Sequence, residues 1–434
     1  MEKSYKRRER MFKKVIIAAI AIGFIIATTG IATAASKIVF YTPAWGIDVA
    51  EEMISLYEKE KPDVKVELMR GPSTWDDHVA RCSLWIRTKY SGVDVLYEDD
   101  VFTLDGAYYG VWEDLTNYLT EREKEDLIGF QKEYIKAHGG IYRVPWWNGM
   151  SYMYYRKDIF VKEGLLPPKT WDELIEVGKK LTRDLDGDGK IDQWGYVTQG
   201  TPGEMYNNFM EFLYQAGGDE WELAPGGNPT PEAKKALEFM CKVYKTIAPP
   251  ALSTIGYDES RALFREGKVA MLRDWGEMGK IAVQEKITHI VGIMNFPAGP
   301  AGPYGIGHCW GVVVNKYGAN YRKNKDIVID FVRFMLRPEI HKISAVLEGP
   351  ALKSVLEDED YMKKLAERNI VASYFKEFIK FRKVRRFPPG KATKYHEGIG
   401  RIVTKAAITG ELSVEEALIE VQKWIDPLIA EFKK

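Results

Sequence analysis

Cysteine is scarce. Cys82, Cys241 and Cys309 are the three in the chain, odd in number and far apart, which leaves neither a disulfide framework nor a repeated metal-ligand spacing. Buried thiols are the expectation, with one unassigned disulfide as the alternative. Histidine is sparse as well, six scattered residues, and none falls in H-E-x-x-H. G-x-S-x-G, a P-loop and a glycine fingerprint for dinucleotides are all missing, which removes the enzyme classes that announce themselves locally. No internal repeat or low-complexity tract is present. Neither sign of charge dominates: 62 Lys and Arg balance 62 Asp and Glu.

Long apolar runs are also absent, except one. "VIIAAIAIGFIIATTGIATAA", Val15 to Ala35, follows a basic segment and ends near Ala32-Thr33-Ala34, a small-residue pattern of the kind cleaved on export. It reads as a signal peptide or, being nearly long enough to span a bilayer, as an uncleaved N-terminal membrane anchor. No cysteine follows it, so a lipoprotein attachment point is missing. Either way residues 36–434 are expected outside the cytoplasm, at the cell surface or in a periplasm. Seven of the 62 basic residues and two of the 62 acidic ones lie before residue 36, so the remainder carries 55 against 60. A mildly acidic body has no footprint for nucleic acid.

At 434 residues the chain exceeds one ordinary core, so two domains or two lobes are expected. "KIVFYT", "VKVELMR" and "VDVLYE" read as strands, separated by helical patterns from Asp48 to Pro62 and from about Thr74 to Tyr90. That rhythm predicts a parallel or mostly parallel sheet with helices on both faces. A second α/β set follows: "SYMYYR", "KVAMLRD", "HIVGIMNFP" and "WGVVVNK" as strands, with helices near 204–216, 231–247 and 257–267. "TWDE" at Thr170 resembles a capping box.

What the chain has in excess is aromatic: 12 Trp and 24 Tyr. Trp45, Trp75, Trp147, Trp275 and Trp310 fall at element ends rather than on periodic apolar faces. Rings so placed suit a sugar, whose C–H faces stack on them while its hydroxyls need carboxylates and amides. Trp146, beside Trp147, is expected in the core. Polar candidates for the same site are Arg70, Glu98, Asp99, Asp100, Asn148, Glu204 and His308. The run Glu98-Asp99-Asp100 ends a strand, but neighbouring strand residues point opposite ways, so it is not by itself a catalytic carboxyl pair. "DLDGDGKIDQWG" places Asp184, Asp186, Asp188, the Lys190 carbonyl and Asp192 at calcium-loop spacing, with Gly195 where a bidentate Glu would close the shell. A Ca²⁺ loop and an acidic turn held by its own Asx side chains both fit. No cofactor is required.

Five segments in order carry a resemblance. "VPWWNGMSYMYYRKDIF", "GLLPPKTWDELIEVGKKL", "ALFREGKVAMLRDW", the pair "GHCWGVVVNKYGAN" and "KDIVIDFVRFML", and "GELSVEEALIEVQKWID" are similar to segments of the maltose/trehalose-type solute-binding proteins of ABC sugar importers. The resemblance covers nearly everything after the apolar run. It implies a two-lobed periplasmic-binding-protein-like α/β fold with crossovers and a cleft that closes on a sugar. It also implies delivery to membrane permease subunits, a monomer, and no reaction on the ligand. Lobe parts are expected at 36–145 and 295–340 (first lobe) and at 146–294 and 341–434 (second lobe). Trp147, Trp275 and Trp310 match ring positions of that family, and Asp99 an acid that holds sugar hydroxyls. Gly149 departs from it, because maltose- and trehalose-type relatives carry an acid there. The competing readings are a secreted glycoside hydrolase, or a peptide or metal carrier of the same architecture.

Overall fold

The protein is described by a computed structural model over residues 36–128 and 139–432; the expected signal or anchor at 1–35 lies outside the described residues. Ten strands are present among them: Ser36–Thr42 (β1), Val64–Arg70 (β2), Val95–Glu98 (β3), Val144–Met150 (β4), Tyr152–Arg156 (β5), Trp194–Val197 (β6), Val269–Asp274 (β7), Val291–Met294 (β8), Gly305–Val314 (β9) and Arg382–Val384 (β10). They form two sheets, and the two sheets make two lobes. The first runs β10-β9-β3-β1-β2 with β4 also on β9; the second runs β6-β7-β5-β8.

Both sheets are mixed: three of the five pairings in the first are parallel, in line with the reading of its first strands, but only one of three in the second. β1 is parallel to β2 and β3, as the strand–helix–strand rhythm requires, but β9 returns antiparallel to both β3 and β4. In the second sheet β5 is antiparallel to β7 and β8 while β6 is parallel to β7. β9 enters from the opposite lobe, and that reverses its direction relative to a locally wound strand.

The chain changes sheet at Ser151. Its N–H donates to the Ile306 carbonyl, and its hydroxyl accepts the Ile306 N–H at 3.0 Å. β4 and β9 are therefore stitched together where β5 departs. The expected lobe boundary after residue 145 falls inside β4, and β10, expected in the second lobe, lies in the first sheet.

Helices cover the sheets with their apolar sides inward. Helix Ile47–Glu60 buries Val49, Ala50, Met53, Ile54 and Tyr57, the spacing of one face. It begins one residue before Asp48, which sits in its first turn rather than capping it. Helix Trp171–Leu181 is capped by Thr170, whose hydroxyl accepts the Glu173 N–H. The Glu173 carboxylate turns to the Lys169 N–H instead of completing a capping box. Cys82, Cys241 and Cys309 are buried free thiols. No helix among the described residues is long and apolar enough to cross a membrane.

Candidate functional site

Three adjacent strands set a row of rings. Trp310 of β9 pairs with Trp147 of β4, and Tyr97 of β3 pairs with Val312 two residues along β9. Same-parity residues share a sheet face, so Tyr97, Trp147, His308 and Trp310 emerge together. Trp310 stacks on Tyr97 at 5.0 Å and on Trp147 at 6.0 Å between ring centroids. Trp45, from the turn after β1, and Trp75, opening helix Trp75–Thr88, meet Trp310 edge-on at 5.7 and 5.8 Å. From the second lobe, Trp275 follows β7 and lies flat on His308 at 4.5 Å. The aromatic surface thus crosses from one lobe to the other. Trp146, at the register irregularity of β4, is fully buried against Phe40 and Tyr97, in the core as expected.

Charged groups ring that surface, and most are buried. Asp100 pairs with Arg143 at 2.7 Å and with Arg385 at 3.5 Å. Arg385 also donates to Asn207 of the second lobe, so one guanidinium bridges the lobes. Asp105 in the first lobe accepts the Ala392 N–H at 2.9 Å, at the start of helix Ala392–Thr404, where a carboxylate is favoured by the free N–H groups. Glu98 is fully buried, and burial raises its carboxyl well above the usual range. Asn148 donates to the Pro350 carbonyl while its own oxygen lacks a partner. His308 is held neutral by burial, its Nε2 4.0 Å from Glu348 and without a hydrogen-bond partner among the described residues. Buried polar atoms without partners are uncommon in folded proteins, and here several converge on the rings.

The glycine at 149 has a geometric counterpart. A Cβ there would overlap His308 Nε2 and the Glu348 carboxylate, and Glu348 Oε2 accepts the Met150 N–H at 3.0 Å. Glu348 thus places a carboxyl group beside Gly149.

Two polar candidates stand apart. Arg70 is exposed and forms an ion pair with Glu51. Glu204 is buried but committed to Arg273 at 2.8 Å and to the Tyr257 hydroxyl at 2.5 Å. It reaches the site through Arg273, whose guanidinium lies 4.3 Å over the Trp275 ring. Sequence reading missed Arg143, Arg385, Glu348, Arg273 and His78. Of these only His78 had a local signal, three residues after Trp75 on one helix face.

Asp99 caps helix Asp100–Tyr108 by accepting the Val101 and Phe102 N–H groups. Burial, and then the Asp100 charge, push its carboxyl up to about 7. An acid whose folded pKa is raised keeps its proton longer in the fold than in the unfolded chain. Its contribution to stability therefore falls as pH rises from about 4 to about 7. Asn keeps the cap without titrating, so Asp99→Asn should gain on the wild type across that window, by up to about 1.4 kcal/mol per pH unit. Urea unfolding at several pH values checks this; parallel profiles would refute it.

The acidic loop folds on itself. Asp184 accepts the N–H groups of Gly187 and Gly189, Asp186 that of Asp188, Asp188 that of Lys190, and Asp192 that of Leu185. These backbone bonds hold the exposed Asp184 carboxyl below its ordinary range. One oxygen from each of Asp184, Asp186 and Asp188 lies within 4.8 Å of the others. Gly195 offers no twelfth ligand: it lies in β6, against the Gly178 backbone, where a Cβ would not fit.

Residues 44–342 match the family of bacterial extracellular solute-binding proteins. The chain belongs to that family. Among relatives of this solute-binding protein, a probable ABC transporter-binding protein of Deinococcus radiodurans is 29% identical over 69% of this chain and 71% of its own. A mannitol-binding protein of Pseudomonas aeruginosa is 26% identical, over 58% of this chain and 57% of its own. In fold the chain is similar to the maltose-bound MalE3 of T. maritima, with a TM-score of 0.77 at 24% identity, covering 90% of this chain and 99% of that one. Such binding proteins are two-lobed, and the two sheets found here are those lobes.

Proposed function

We propose that this solute-binding protein is an extracytoplasmic receptor that takes up a di- or oligosaccharide between its lobes and hands it, chemically intact, to the permease subunits of an ABC transporter. One observation carries the reading. Trp45, Trp75, Trp147, Trp275 and Trp310 form a continuous aromatic surface shared by both lobes, edged by buried polar atoms without partners. Flat rings take the C–H faces of pyranoses, and the orphan atoms of Asn148 and His308 take hydroxyls. The relative named for mannitol and the structural neighbour holding maltose agree with a polyol or sugar ligand.

The carboxyls that a hydrolase would need are engaged otherwise. Asp99 caps a helix and Asp100 is paired with two arginines, so binding without turnover is the reading favoured over a secreted glycosidase. The protein acts as a monomer, its lobes closing on each other. Export by the N-terminal segment, or anchoring through it, places it at the cell surface or in a periplasm.

Thermal unfolding against a panel of di- and oligosaccharides tests this. A ligand that binds only the folded form raises the midpoint as its concentration passes Kd. One sugar should shift it and be recovered unchanged. No shift with any sugar, or recovery of cleaved product, would overturn the reading.

We extend the proposal to Ca²⁺ at the Asp184–Asp192 loop. Asp184, Asp186, Asp188, Asp192 and the Lys190 carbonyl would supply its oxygens, with a weak shell because the twelfth ligand is missing. Calcium near millimolar, the weak end of such sites, should raise the unfolding midpoint in the wild type and not in Asp186→Asn. Equal midpoints with Ca²⁺ and with chelator would remove the ion from the account.

A further inference from the structure

Beneath the aromatic surface lies a cluster that sugar binding does not use. His78 and Cys82 stand four residues apart on one face of helix Trp75–Thr88. Glu98, at the end of β3, points between them. All three are fully buried. His78 Nε2 is 3.7 Å from Glu98 Oε2 and 3.9 Å from Cys82 Sγ, and one donor atom from each residue lies within 4.8 Å of the others. Tetrahedral zinc with bonds of 2.0–2.3 Å has ligand–ligand edges of about 3.3–3.8 Å, so small movements would bring the three to one ion.

We propose that His78, Cys82 and Glu98 form a site for a single divalent transition-metal ion of the zinc type, independent of the sugar reading. The first support beyond spacing is Glu98, neither of whose buried oxygens has an N–H or O–H partner among the described residues, with only the weak Cys82 thiol donor beside it. A buried carboxyl so placed is unfavourable unless something cationic or protic meets it. The second is the outer partner of His78: the Tyr41 hydroxyl lies 3.0 Å from Nδ1 and can accept a proton from it, and in that tautomer Nε2 is bare, as metal-bound imidazoles require. Charge also balances, because a thiolate and a carboxylate neutralise a dication. Ligation as thiolate and carboxylate releases the protons that those groups carry. A sulfur donor selects zinc over Mg²⁺ or Ca²⁺, separating this site from the acidic loop. Three protein donors leave one coordination position for a water or ligand oxygen.

The test is the full chain produced in medium supplied with Co²⁺, so that a buried site fills during folding. One retained cobalt per chain is expected, with a thiolate-to-cobalt band in the near ultraviolet and tetrahedral bands in the visible. Zn²⁺ should displace it and Ca²⁺ should not. Cys82→Ser should abolish the near-ultraviolet band, while Cys241→Ser and Cys309→Ser keep it. Glu98→Gln should keep the band but weaken retention by more than the about 10- to 100-fold that losing an outer-shell partner causes. The metal-free unfolding midpoint of each variant reports on folding. No thiolate band in the wild type, or one that survives Cys82→Ser, overturns the proposal, and the wild-type spectrum decides even where a variant fails to fold.

Discussion

Arg273→Met should destabilise the protein by about 3–5 kcal/mol, the range for breaking a buried ion pair from one side. Arg273 is fully buried in β7 and holds two carboxylates of helix Pro202–Ala216 at once. Its Nη1 donates to Glu204 at 2.8 Å, and its Nε and Nη2 donate to Glu211 at 3.1 and 2.6 Å. Glu204 and Glu211 are two helical turns apart and share a face, so one guanidinium fork serves both. Removing it leaves two desolvated carboxylates facing each other, with only the Tyr257 hydroxyl and Asn207 amide on Glu204. The deficit should therefore be recoverable. Adding Glu204→Gln and Glu211→Leu to Arg273→Met removes the stranded charges and should restore most of the loss, since an apolar replacement of a whole buried ion cluster is often neutral. Urea unfolding of the single and triple variants decides it. Equal losses in both would mean that packing, not charge, is what Arg273 supplies.

That cluster shows where sequence reading stops. Two segments became strands where expected: "KIVFYT", a short apolar run, lies within Ser36–Thr42, and "VKVELMR", which alternates, is Val64–Arg70. Period carries that information because one face is buried and the other is not. β4 was hidden because "VPWWNGM" is buried along its whole length and has no alternation, while Pro145 and Gly149 argue against a strand and a register shift interrupts it between Pro145 and Trp147. β10, three residues long, has no period to read. The tryptophans were legible singly, as large rings at element ends that no apolar face claimed. Their polar frame was not: Asp100 meets Arg385, and Gly149 meets Glu348, across much of the chain. Such pairs follow from how crossovers fold two sheets together, and a local window cannot hold them. Arg70 misled for the opposite reason. It ends a strand, as ligand residues do, yet pairs with Glu51 on the surface.

Trp310→Ala should abolish sugar recognition more completely than any other single ring loss. Trp310 is the one ring of the surface that touches Trp45, Trp75, Tyr97, Trp147 and His308, so its removal loosens the stacking plates of the first lobe. Central, desolvated aromatic anchors carry about 2–4 kcal/mol of binding, which corresponds to about 30- to 1,000-fold in Kd. Truncation also opens a cavity in a packed region and should lower stability by about 3–5 kcal/mol, so affinity must be measured calorimetrically below the variant's own unfolding midpoint. Trp310→Phe, which keeps a flat face with less area, should lie between wild type and alanine in both quantities. Arg70→Ala, exposed and paired with Glu51, should alter neither. If Trp310→Ala binds its sugar within about twofold of wild type, a change of only about 0.4 kcal/mol, the rings are a hydrophobic seam between lobes and the ligand is held elsewhere. If affinity collapses while Trp310→Phe restores part of it, ring area at this position sets recognition. Trp275, stacked on His308 from the other lobe, then acts as the plate that closes over the sugar.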